Sequence, residues 1–154
     1  MAETPEQLPC VLIPVEDQTL LLPNVSIAEI VDYADLEPDS SAPDWLLGWF
    51  QWRGIRLPIL SWEAANGRSP VPPDGQRGRV LVLNTISEIH NESPFMALAT
   101  QGIPRQAKIT PAELGEKKEG EGEAELMTLT YEDERVCIPD LSTLEGLMTQ
   151  ASQD

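Results

Sequence analysis

Histidine is nearly absent from this chain and cysteine is scarce. There is one histidine, His90, and there are two cysteines, Cys10 and Cys137, in 154 residues. A single imidazole in a loop-like stretch (TISEIHNESP) supports no Ser-His-Asp or Cys-His set. The sequence has no CxxC, no HExxH and no phosphate-binding glycine loop. The histidine is close to neither cysteine, so zinc-ligand spacing is missing and no metal or cofactor is expected. Each cysteine lies in an apolar, strand-like run, and both read as reduced core residues of a cytoplasmic protein. Basic residues are few as well: 10 Lys and Arg stand against 26 Asp and Glu, a net charge of −16. Such a surface repels phosphate backbones and anionic bilayers, which argues against nucleic-acid binding. The opening MAETPEQLP has neither the basic nor the apolar region of a signal peptide. No apolar run approaches the roughly 18 residues of a membrane span, so direct membrane insertion is not expected. Asn91-Glu92-Ser93 matches a glycosylation pattern, which has no meaning in a cytoplasmic chain.

Proline and glycine are plentiful, at 14 and 10. They argue for many short elements joined by turns rather than for long helices. Strand-like runs are Cys10 to Val15, where Pro14 hints at an edge, Thr19 to Leu22, and Val25 to Tyr33. In the last of these, Val25, Ile27 and Ile30 are expected inside and Ser26, Glu29 and Asp32 outside. Two apolar runs, Leu46 to Trp52 and Ile55 to Leu60, flank Arg53-Gly54 and predict a β-hairpin with a tight turn. Ser61 to Asn66 is expected to form a helical turn ended by Asn66-Gly67. Ser69 to Gly78, with three prolines, is the clearest linker. Strands follow at Arg79 to Leu83, Pro94 to Ala99 and, weakly, within Gln101 to Ile109. Thr110-Pro111-Ala112-Glu113 carries the marks of a capping box and so of a short helix. Gly115 to Glu125 is charged and of low complexity, and is expected to be a mobile acidic loop. A second hairpin, Leu126 to Tyr131 and Arg135 to Ile138, turns at Glu132-Asp133. A helix from about Leu141 to Gln150 presents Leu141, Leu144, Leu147 and Met148 as one apolar stripe.

These elements predict an all-β fold with short helices: a first lobe at about 9–68, a linker at about 69–78 and a second lobe at about 79–150. About ten short strands with regular turn signals fit small barrels or a sandwich. Glu29 and Asp32 could be posed as a carboxylate pair for a small hydrolase, with His90 as the other candidate. At odd spacing on one strand, however, they point to opposite faces. The net charge permits another rival, an acidic decoy for a basic partner. Arg53 stands out as a positive contact point on a negative surface, since a guanidinium at a turn can fork onto a carboxylate. Three tryptophans, Trp45, Trp49 and Trp52, fall within eight residues of it; their ordinary role is to fill a core or close a barrel.

LLPNVSIAEIVDY followed by APDWLLGWFQWRGIRLPILSWE resembles the first half of a CheW-like chemotaxis coupling domain. Ile27, Glu29 and Ile30 stand at a Val-x-Glu-Ile segment. Pro43, Gly48, Arg53, Gly54 and Pro58 stand at a second motif built around Arg-Gly. Gln51 replaces an asparagine and Trp62 a leucine, and ALATQGIPRQ lacks a valine–aspartate signature, so the second half departs from the pattern. The resemblance implies two five-stranded SH3-like barrels and a C-terminal helix. It also implies a non-enzymatic adaptor that links a chemoreceptor tip to the regulatory domain of a CheA-type histidine kinase. It places Ile27, Glu29, Gly48, Arg53 and Gly54 at or beside partner-binding surfaces. Within the family the chain looks most like the ChpC type of accessory protein in chemosensory systems that govern type IV pili and twitching motility.

Overall fold

The computed structural model describes residues 7–16, 18–33, 37, 43–73, 76–86 and 94–152. His90 and the sequence Asn91-Glu92-Ser93 lie outside the described residues. Among these residues, eleven strands form two sheets. The strands β1 (Leu8–Val15) and β2 (Gln18–Pro23) are followed by β3 (Ile27–Asp32), β4 (Leu46–Trp52), β5 (Ile55–Ser61), β6 (Arg79–Asn84) and β7 (Phe95–Thr100). Then come β8 (Arg105–Ile109), β9 (Leu114–Glu119), β10 (Glu125–Tyr131) and β11 (Glu134–Pro139). Among the described residues there are also two α-helices, the one-turn α1 (Trp62–Ala65) and α2 (Leu141–Ser152).

One sheet runs β8-β1-β2-β11-β10-β9 and the other β3-β6-β7-β5-β4. The fold is therefore mainly β, with two SH3-like lobes and a C-terminal helix. The lobes do not follow the halves of the chain. The strands β3 to β7 form one lobe outright, inserted between β2 and β8 of the other. The segment expected to separate the lobes, Ser69 to Gly78, instead joins α1 to β6 within the five-stranded lobe. The other lobe has six strands rather than five, because β9 joins it.

Alternation along the inner strands explains why they are apolar throughout. Successive side chains point to opposite faces. In β1, Val11, Ile13 and Val15 enter a central cluster, while Cys10 and Leu12 enter the core of the six-stranded lobe. In β6, Leu81 and Leu83 face the central cluster, and Val80 and Val82 face the core of the five-stranded lobe. The strand β7 divides in the same way, with Met96 and Leu98 on one side and Ala97 and Ala99 on the other. Leu141, Leu144 and Met148 of α2 close the central cluster, and Leu147 packs on it half-buried. Asp140 starts this helix, its carboxylate accepting from the Thr143 N–H at 3.3 Å.

Several expectations need correction. Pro14 does not mark an edge, since β1 is flanked by β2 and β8. Pairing with β8 ends at Leu12, so the N–H that Pro14 lacks is never needed there. Val25 is not buried; it sits in a single 3-10 turn, Asn24–Ser26, and is 80% exposed. Ile30 is exposed, and Glu29, expected outside, is half-buried. The capping box at Thr110 forms as read, but it caps only the 3-10 turn Pro111–Glu113 before β9 begins. Gly115 to Glu119 is not loop but strand, paired with β10 from Thr130 to Met127. Backbone pairing needs no apolar side chain, and charged residues suit the outer strand of a sheet.

Both cysteines are buried and free. Burial pushes the Cys137 thiol up to about 12, with Glu125 adding to the effect and Arg68 opposing it. Burial also pushes Cys10 up. A thiol whose folded pKa is raised contributes stability that is complete below its unfolded value and is lost as pH rises. Stability should therefore fall between pH 9.0 and about 12, and Cys137→Val should flatten that fall in urea titrations. Leu81→Ala, at the junction of the two lobes, should cost about 2–5 kcal/mol by the same measurement.

Candidate functional site

The hairpin of β4 and β5 turns at Arg53 and Gly54, with φ of 49° and 80°. Two successive residues of positive φ make the tight turn whose twist matches the flanking strands. No atom lies within 4 Å of where a Gly54 Cβ would stand, so that glycine serves its backbone angle rather than a close approach. Arg53 adopts the left-handed region without that freedom, at a cost of roughly 1 kcal/mol.

Arg53 is held from two sides. Its Nη2 donates to Glu29 Oε1 at 2.9 Å, and its guanidinium carbon lies 4.8 Å from the centre of the Trp52 ring. Trp52 Nε1 donates to the same Glu29 oxygen at 3.1 Å. The indole is buried and meets Phe95 edge to face, with centroids 4.8 Å apart. A rigid aromatic floor thus aims a cation that remains 69% exposed at its side chain. One carboxylate engages one edge of the guanidinium, and the fork retains further N–H groups that face solvent. The arrangement can recognise a planar anion such as a carboxylate and has no chemistry of its own.

A second stacked arginine lies on the same hairpin. Arg56 sits with its guanidinium carbon 4.1 Å from the centre of the Trp49 ring, and its Nε donates to Glu37 Oε2 at 3.1 Å. Glu37 is tied to β4 by two backbone bonds with Trp49, of 2.7 and 2.9 Å. Neither this pair nor the Trp52–Phe95 floor was legible in the sequence. The available signal was only that Arg53 follows Trp52 directly; Arg56 stands opposite Gln51 in the register and reaches Trp49 diagonally.

The five expected residues are only partly together. Glu29, Arg53 and Gly54 meet at the hairpin tip. Gly48 is buried in β4 opposite Ile59, beside an irregularity in the register, at the far end of the hairpin. Ile27 begins β3 opposite Leu83 and packs on the central cluster. Asp32 points away from Glu29, as the odd spacing requires, and pairs with Arg79 at 3.6 Å. Of the three tryptophans expected in a core role, Trp49 and Trp52 are buried and Trp45 is half-buried, packed against the central cluster. Among the described residues no cluster of His, Cys, Asp and Glu could hold a metal ion, and no helix is long and apolar enough to cross a membrane.

At the open end of the six-stranded lobe lies a pocket of about 180 Å³, lined by apolar residues that include Leu8, Leu21, Ile109, Leu114 and Ile138. Each lobe thus offers a different surface, one cationic and one apolar.

Comparison with known proteins places these features in context. The CheW-like domain profile matches residues 9–145. The crystal structure of the scaffolding protein TtCheW from Thermoanaerobacter tengcongensis is similar, with a TM-score of 0.73 at 12% identity, over 92% of this chain and 89% of that one. No curated protein matches.

Glu29→Ala should cost about 1–2 kcal/mol in urea denaturation, because it leaves the Trp52 indole N–H unpaired. Arg53→Ala should cost less than about 1 kcal/mol, since an exposed ion pair contributes little. The Trp52 indole proton resonance should move in the first variant far more than in the second.

Proposed function

The chain belongs to the CheW-like domain family, and from that premise we propose that it is a non-enzymatic adaptor joining a chemoreceptor tip to the regulatory domain of a CheA-type histidine kinase. The observation that carries this reading is the guanidinium of Arg53, exposed yet fixed by Glu29 and Trp52. In a chain of net charge −16, a fixed and exposed cation is a specific contact point for an acidic side chain of a partner. The apolar pocket of the other lobe supports the reading by supplying a second, chemically distinct surface. An adaptor needs two such surfaces. It needs no reaction, because a partner that binds two receptor or kinase states unequally shifts their populations by binding alone.

Glu29 acts here through Arg53. Its Oε1 is committed to Trp52 and Arg53, so its part in partner binding is to hold the arginine rather than to reach the partner. Gly48 and Ile27 shape β4 and the central core behind the surface. The finer form of the proposal is an accessory coupling protein of the ChpC type, serving a chemosensory system that controls type IV pili. Its support is the overall likeness of the sequence to that type; the departures at Gln51, Trp62 and the ALATQGIPRQ segment mark the chain as a divergent member of the family.

Calorimetry with the regulatory domain of the kinase from the same organism, at about 150 mM salt, tests the reading. Binding should be micromolar and should persist in part at higher salt, as expected where the apolar pocket of the six-stranded lobe contributes beside Arg53. Arg53→Glu should weaken it at least about tenfold with little change in melting temperature. Absence of binding by the folded protein, or an undiminished affinity in Arg53→Glu, would overturn it.

A further inference from the structure

Three side chains in and just after α1 leave their own lobe to bond the other. Trp62 Nε1 donates to Gln18 Oε1 of β2 at 2.8 Å. Glu63 Oε2 accepts from the Glu16 N–H, in the turn between β1 and β2, at 2.8 Å. Asn66 uses both ends of its amide: Nδ2 donates to Glu125 Oε2 at 2.7 Å, and Oδ1 accepts from the Ala124 N–H at 2.9 Å. All three are buried, Asn66 being only 4% exposed. They form a polar seam inside an otherwise apolar junction.

The turn between β9 and β10 lies across this seam as a strap. Gly122 has no room for a Cβ, because the Asn66 amide fills that space. Beyond it, Gly67 has a φ of +89° and sits against the Glu123 side chain. Ala124 is fully buried, and its carbonyl accepts from the Asp140 N–H, which begins α2, at 2.7 Å. The strap therefore touches α1, β10 and the start of α2 at once. A buried asparagine amide without partners is destabilising, and among the described residues the Asn66 side chain finds its partners only in the strap. Cys137 of β11 shares the central cluster with Ala124 of the strap.

We propose that Asn66 is a positioning residue: by docking the strap of residues 120–125 it locks the two lobes in one relative placement, so that strap release and lobe movement are a single event. The inference does not rest on the adaptor reading, and its test needs no partner. Residual dipolar couplings and amide hydrogen exchange would be measured on the full chain and on Asn66→Ala and Gly122→Ala. The second variant keeps Asn66 and removes only the space for the strap, so it decides the matter if the first fails to fold.

In both variants the Ala124 and Asp140 amides should exchange at least about tenfold faster. The couplings of the two sheets should cease to fit one common alignment, while amides within β6 and β7 keep their protection. Unchanged Ala124 exchange would overturn the proposal. So would faster exchange with the two sheets still sharing one alignment, because Asn66 would then hold the strap without placing the lobes.

Discussion

The central apolar cluster is the constraint on which everything else depends, because neither lobe can bury it alone. Its members come from β1, β2, β11 and the β9–β10 turn of one lobe, β5, β6 and β7 of the other, and both helices. Each of the inner strands β1, β2, β6 and β7 serves two cores, with one face turned to its own lobe and the other to the junction. At about 25 cal/mol per Å² of apolar surface removed from water, separating the lobes would expose a continuous face of Leu, Ile and Val. The two barrels are in this sense one hydrophobic body. The chain reinforces the union by threading one lobe as an insertion within the other.

That shared core lets the exposed features be precise. The β4–β5 hairpin is anchored by Leu57 and Ile59 within its lobe and by Leu60 in the junction. Its tip can then hold Arg53 in a strained backbone angle without fraying. The buried Trp52 transmits the rigidity of the lobe to the guanidinium through one stacking contact and one shared carboxylate. Across the junction, the polar seam of Trp62, Glu63 and Asn66 adds directional bonds to an otherwise apolar interface. Hydrogen bonds are directional and the hydrophobic effect is not.

Much of the fold was legible because local physics and tertiary structure agreed. The Arg53-Gly54 hairpin, the Glu132-Asp133 turn, the capping box at Thr110 and the apolar stripe of α2 appear where turn chemistry and periodicity put them. RVLVL read as a strand buried on both sides, and β6 is one. The misreadings cluster where pairing decides the outcome. Gly115 to Glu119 has the composition of a loop, yet it forms a strand because β10 offers it a free row of backbone groups. Val25 has the composition of a strand, yet it stands exposed in a turn because Pro23 and Asn24 break the extension first. Of the expected site, the turn residues Arg53 and Gly54 were legible from their spacing. The commitment of Glu29 to Trp52 was not, since the two are 23 residues apart and stand on the opposite edge strands β3 and β4, which meet only because the sheet curls on itself.

By itself the sequence determined the class of the fold, the position of most strands, the absence of a catalytic or metal-binding set among recognisable motifs, and the place of the one arginine turn. These follow from side-chain alternation, turn geometry and composition, all local in the chain. Tertiary structure alone decided which strands share a sheet, that one lobe is inserted in the other, that the acidic segment is strand and strap, and that Glu29 supports Arg53. Those outcomes depend on contacts between residues distant in sequence, such as Asn66 with Glu125 and Trp62 with Gln18. No local pattern encodes the partner of a buried donor; only the packed chain brings the acceptor to it.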